Sequence, residues 1–294
     1  MSEPLRSRAA EDEQGQRRVR ERPPLPEPLP HPVVDNHCHL DIARGDEDAV
    51  PVPEALAAAA AVGVPRIVQI GCDLPGARWA VAAAREHDAL VAGVALHPNE
   101  APRLAAEGRL DEALAEIERL AQAHDKVRAV GETGLDHYRT GPGGREAQLE
   151  SFVRHIDLAK RIGKTLVIHD RDAHDEILDV LDAEGPPDRW VMHCFSGNAR
   201  LARACLDRGA FLSFAGTVTF KNAQPLRDAL AVTPLDRVLV ETDAPFLTPT
   251  PYRGRPNASY LIPLTMRALA AVRGADLDEL CAAVADNGRR AFAL

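Results

Sequence analysis

Eight short apolar, β-branched runs separated by alanine- and leucine-rich stretches constrain this chain more than any other feature of its sequence. The runs cover residues 33–37, 66–71, 91–96, 127–132, 165–169, 189–193, 211–215 and 237–242. Between them the spacing predicts helices such as 53–63, 111–124 and 145–163. The last carries Leu149, Phe152, Val153, Ile156 and Ala159 at helical intervals, with Gly163 as its C-cap. Strands that read as continuous apolar runs are buried on both faces, as in a parallel sheet covered by helices. Eight such units in about 260 residues predict an α/β fold, a TIM-type (β/α)8 barrel, as a single domain over residues 31–294. A doubly wound open sheet would place a glycine-rich phosphate loop after its first strand, where this chain has "HCH".

Residues 1–30 break the rhythm. They hold six arginines, six acidic residues and a proline-rich run, a composition that cannot repay the entropy of ordering and predicts a disordered tail. Charges stand where a secretory signal would be apolar, and no run approaches a membrane span, so a cytoplasmic protein without membrane association is expected. Five cysteines, odd in number and without a C-x-x-C pair, agree with a reducing compartment. The net charge of −9 argues against a broad nucleic-acid-binding face, so an anionic substrate would need a local positive site. A monomer without an organic cofactor is expected.

Polar residues gather where the apolar runs end. His37 and His39 are two apart on the first strand and so point to one side. His97 follows the third strand, Glu132 and Asp136 the fourth, His169 the fifth, His193 the sixth and Asp243 the eighth. Five of the 11 histidines thus fall at strand C-termini, the end of a barrel where active sites are built. Imidazoles with carboxylates suit zinc, manganese, cobalt or nickel, and the lack of a cysteine cluster argues against a closed structural zinc site. Four histidines and two carboxylates exceed what one catalytic ion needs. The expectation is two divalent cations, with His37, His39 and Asp243 on one, His169 and His193 on the other, and Glu132 bridging. Such a centre could activate a bridging water and accept an anionic ester, with Asp243 taking the proton of the attacking water.

The motifs H-x-H, "GVALHPNE", "GETGLDHY", "IHDRDAHDEIL", "HCFSG", "SFAGTVTFKNA" and "ETDAPFL" occur in an order that resembles the TatD-type metal-dependent deoxyribonucleases of the amidohydrolase superfamily, in the branch that retains H-x-H. The likeness runs from residue 33 to about 292, nearly everything but the tail. It implies a TIM barrel, two divalent ions (magnesium, manganese or zinc) and hydrolysis of DNA, with 3′→5′ exonuclease action in several members. Residue by residue, it carries metal ligation onto His37, His39, Glu132, His169, His193 and Asp243, and a role in activity onto His97.

Substrate contacts are expected from His97 and from arginines in the active-face loops, Arg171 and Arg255 ahead of Arg139 and Arg253. Asp136 either orders a ligand histidine or caps its own turn. Tyr138, Phe195, Phe246 and Tyr252 lie just beyond ligand strands and would suit one or two terminal nucleotides. Cys38 and Cys194 would point away from the site if their strands stay regular. The competing function is an ester or amide hydrolase on the same metals, such as a lactonase or D-aminoacyl-tRNA deacylase.

Overall fold

The computed structural model describes residues 4–7, 21–43 and 50–294. Its centre is an eight-stranded, all-parallel sheet. In chain order the strands are β1 (Val34–Cys38), β2 (Arg66–Gly71), β3 (Leu90–Val94), β4 (Val127–Asp136), β5 (Thr165–Arg171), β6 (Trp190–Met192), β7 (Phe211–Phe214) and β8 (Val238–Val240). Each pairs with the next, from β1 to β8. All eight lie on the apolar runs read from the sequence. The largest difference is β4, which continues past Glu132 to Asp136.

The ladder does not run directly from β8 to β1. Polar groups close that seam instead. Asn36 donates to Ser213 Oγ at 2.8 Å and to Val240 O at 2.5 Å. Thr242 donates its N–H and hydroxyl to Asp35 at 2.9 and 2.6 Å. Beyond them, Asp243 N donates to His37 O at 3.0 Å and His39 N to Ala244 O at 2.8 Å. The barrel is therefore nearly closed, and its seam carries three of the proposed metal ligands.

Helices α1 (Val52–Ala61), α2 (Leu74–Glu86), α3 (Ala101–Ala106), α4 (Leu110–Ala121), α5 (Arg145–Ile162), α6 (His174–Glu184), α7 (Ala199–Asp207), α8 (Gln224–Val232), α9 (Ile262–Arg273) and α10 (Leu277–Phe292) surround the sheet. α5 stops where expected, at Gly163 with φ of 65°, a left-handed cap that glycine adopts without a Cβ penalty. The main apolar core lies between strands and helices. A second cluster joins Val68, Ile70, Val91, Ala129, Val167, Val191, Phe211 and Leu239 of the strands to Ala291 and Phe292. It is the barrel interior, and the end of α10 plugs it at the strand N-termini, where Thr165 donates to Ala291 O. With that end filled, a ligand site has room only at the other.

Of the expected tail, residues 1–3 and 8–20 lie outside the described residues. Residues 21–30 run against the barrel: Leu29 is 8% exposed and donates its N–H to Val62 O, and Tyr260 donates to Pro23 O at 2.7 Å. Arg6–Ser7 pairs in parallel with Ile42–Ala43.

Candidate metal centre

Irregularities in the strands aim the polar side chains. The register between β1 and β2 shifts between Asp35 and Cys38, and the β4–β5 register shifts between Gly131 and Thr133, where the Gly131–Glu132 peptide is cis. These local bulges turn His37, His39 and Glu132 into the mouth of the barrel. His169 comes from the C-terminal half of β5, His193 from the residue after β6, and Asp243 from the turn after β8 at φ of 54°.

All six expected ligands meet around Glu132. Its Oε1 lies 3.8 Å from Nε2 of both His37 and His39. Its Oε2 lies 3.2 Å from His169 Nδ1 and 3.2 Å from His193 Nε2. Asp243 Oδ1 sits on the first side, 3.2 Å from His39 Nε2 and 3.9 Å from His37 Nε2. The sets His37–His39–Asp243, His37–Glu132–His193 and His97–Glu132–His169 are each compact enough to hold one ion.

The far nitrogens fix the direction of the lone pairs. His39 Nδ1 lies 3.0 Å from Ile70 O, an acceptor only, so the proton is on Nδ1 and the Nε2 lone pair faces the cluster. His193 Nδ1 lies 2.9 Å from Glu241 Oε1, and His169 Nε2 lies 3.4 Å from Asp136 Oδ2. His37 and His39 bring their Nε2 atoms within 3.3 Å of each other with carboxylates in front of both. Inward lone pairs and carboxylates repel unless a cation lies among them, so the donor set fits divalent metals.

The protonation balance says the same. Burial would raise Glu132, but His193 and His169 together hold it well below the usual carboxylate range. Burial lowers His39 and His169, yet Asp243 raises the first to about 9, and Asp136 with Glu132 raises the second to about 9. Without metal, protons fill the role that cations would take. His97 differs: burial pushes it down to about 3, leaving a neutral ring. Its Nδ1 accepts from Asn99 N at 3.1 Å, so the proton sits on Nε2, 4.0 Å from Glu132 Oε1.

The cluster floors a cavity of about 590 Å³ whose wall includes Arg139, Arg171, Arg253 and Arg255. Arg171 stacks on Tyr138 with 3.8 Å to the ring centroid, and Arg253 on Phe220 at 3.9 Å. Arg255 also pairs with Glu21 at 3.3 Å. Asp136 plays both expected parts: it faces His169 and accepts from Arg139 N at 2.9 Å. Phe246 lines the cavity. Phe195 does not; it is 1% exposed and packs on Phe214, because the chain turns inward after His193. Cys38 is buried beside Ser259 as expected. Cys194, in contrast, lines the cavity, because its φ of 43° ends the regular strand that would have turned it away.

Three further side chains at the site fall outside the set expected from the sequence. Glu241, fully buried, accepts from Ser213 Oγ at 2.5 Å and backs His193. An acidic residue ending an apolar strand was the available hint. Asn99 links His97 to Asp136, donating to the latter at 3.1 Å. Cys72 donates to Glu132 Oε1 at 3.1 Å, a contact that neither spacing nor residue type announces.

The model of the family described as TatD related DNase matches residues 34–293. Uncharacterized metal-dependent hydrolases of Mycobacterium tuberculosis and Bacillus subtilis are 48% and 36% identical over 266 and 262 residues. The alignments cover 89% and 88% of this chain and 98% of each relative. Among solved structures, the TatD homolog YJJV of Escherichia coli K12 superposes with a TM-score of 0.80 at 29% identity, covering 89% of this chain and 98% of that one.

Proposed function

The chain belongs to the TatD-related DNase family and is a metal-dependent hydrolase, and from that premise we propose that it removes nucleotides from DNA ends as a 3′→5′ exonuclease using two divalent cations. The supporting observation is the partition of the histidines by one carboxylate: Glu132 Oε1 faces His37 and His39, Oε2 faces His169 and His193. In this reading His37, His39 and Asp243 hold the first ion, His169 and His193 the second, and Glu132 bridges. Magnesium, manganese or zinc held by these residues would supply Lewis-acid polarisation of the phosphate and would lower the pKa of the attacking water.

The chain's own groups do the rest. Asp243, the more exposed of the two carboxylates, takes the proton from the attacking water. His97, neutral and with its proton on Nε2, donates to a phosphate oxygen. Arg171 and Arg255 hold the flanking phosphates, giving local positive charge to a protein that is acidic overall. The 590 Å³ cavity suits one or two terminal nucleotides rather than a long groove. A cytoplasmic monomer is the form proposed.

The test offers a 5′-labelled single-stranded oligonucleotide and a panel of esters and lactones to the purified protein with manganese or magnesium. A ladder shortening from the 3′ end is expected. Ester turnover with intact DNA would replace this reading by the esterase one. Glu132→Gln is expected to abolish turnover while leaving the circular dichroism spectrum unchanged; full activity in that variant would remove the bridge from the assignment.

A further inference from the structure

Arg6 lies in residues 4–7, ahead of the stretch shared with the family, yet it reaches the H-x-H half of the site. Leu5 and Arg6 donate their N–H groups to Asp41 O at 2.9 and 3.0 Å. The guanidinium forks between two carboxylates. Nη2 donates to Asp41 Oδ2 at 3.0 Å and Nη1 to Asp73 Oδ2 at 2.5 Å. Asp41, two residues after His39, is fully buried.

From Asp41 the contacts lead to the metal face. Gln69 Nε2 donates to Asp41 Oδ1 at 2.8 Å and to Ile70 O at 3.2 Å, while Gln69 Oε1 accepts from Leu40 N at 2.6 Å. Ile70 O is the acceptor that orients His39 Nδ1, and Leu40 adjoins His39. On the other side, Asp73 caps α2 by accepting from Gly76 N at 2.7 Å. A Cβ at Gly76 would come within 3.3 Å of Arg6 Nη2 and of Asp41 Oδ2, so the groups are closely fitted.

We infer that Arg6 is a positioning residue for the first cation: by holding Asp41 and Asp73 together it fixes the Gln69–Ile70–His39 arrangement that aims His39 at the site. The inference rests on the metal reading above. Two physical roles for Arg6 predict opposite signs. As a mere positive charge near the site it would repel a cation, and its removal would tighten binding. As the clamp on His39 it favours binding, and its removal weakens it. A buried Asp41 left without its partner would draw in water or turn outward and take the loop after His39 with it.

The experiment titrates the full-length protein with Mn²⁺ by electron paramagnetic resonance and with Co²⁺ by visible absorption. Arg6→Gln is expected to weaken one of two ions about tenfold, the effect typical of losing a ligand's outer support. Arg6→Lys keeps the charge but loses the fork, and is expected to weaken the same ion about threefold, between wild type and Arg6→Gln. Turnover at saturating metal should stay within about twofold in both, since neither variant removes a ligand. Unchanged or tighter binding in Arg6→Gln would overturn the inference while leaving the metal site standing. If Arg6→Gln does not fold, Arg6→Lys decides, and wild-type affinity there overturns it. A wild-type protein that binds neither ion overturns the metal reading and this inference together.

Discussion

Glu241 shows how much of the site depends on side chains that stand behind the expected ligands. It carries no ligand atom toward the cluster centre but faces His193 Nδ1 at 2.9 Å, and Ser213 holds its other oxygen. A carboxylate behind a ligating imidazole fixes the ring and strengthens it as a donor. Glu241→Gln should therefore cut metal affinity or kcat/KM about 10–100-fold, with little change in the unfolding midpoint. His155 of α5 is a buried histidine with a different task. Its Nδ1 faces Ser151 O at 2.6 Å and its Nε2 accepts from Leu96 N at 3.2 Å, just before His97. Burial lowers it from 6.5 to about 4, so between those values the unfolded chain binds the extra proton. Its contribution to stability is complete above pH 6.5 and is lost as pH falls toward 4, by about 3 kcal/mol. Urea unfolding at pH 7.5 and 4.5 should show His155→Gln losing less than wild type over that interval; equal losses would exclude His155 as the source.

Strand β4 carries the central carboxylate because glycines let it pack closely on β5. At Gly134, with φ of 139°, a Cβ would stand 2.1 Å from His169 O, and at Gly131 one would stand 2.5 Å from Val167 Cβ. Gly134→Ala must push β4 from β5 or strain the backbone, costing about 2–3 kcal/mol. Because the same displacement separates Glu132 from His169, activity should fall more than the stability loss explains. Unfolding curves and kcat on one preparation would check both. The β8–β1 seam is the second element with a double duty. Asn36→Ala takes a buried donor away from Val240 O and from Ser213 Oγ, for about 1–3 kcal/mol, and loosens the contact that holds His37 against Asp243.

For the molecule as a whole, the proposed ligands come from β1, β4, β5, the chain after β6 and the chain after β8, so an ion held by them would tie most of the barrel's circumference together. Binding only the folded state, one cation at about 100 times its Kd adds about 2.7 kcal/mol. In a chain of 294 residues that is about 4–5 °C in thermal midpoint. Adding Mn²⁺ to chelator-treated protein should raise the midpoint by that order, and an unmoved midpoint would argue that the cluster holds no ion. Among the described residues no helix is long and apolar enough to cross a membrane.

The repeating apolar runs alone determined the order of the eight strands and the barrel class, because burial on both faces leaves a strand no choice but apolar residues. The placement of His37, His39, His169 and His193 at strand ends was equally legible, since polar residues ending such strands have nowhere to point but the mouth. What the sequence could not give is that Phe195 turns inward while Cys194 faces the cavity. Those outcomes depend on strand irregularities of one residue, which reverse a side chain without altering the pattern of residue types. Glu241, Cys72 and Arg6 belong to the same class: each gains its place from a partner distant in sequence, and only the closing of the barrel brings the two together.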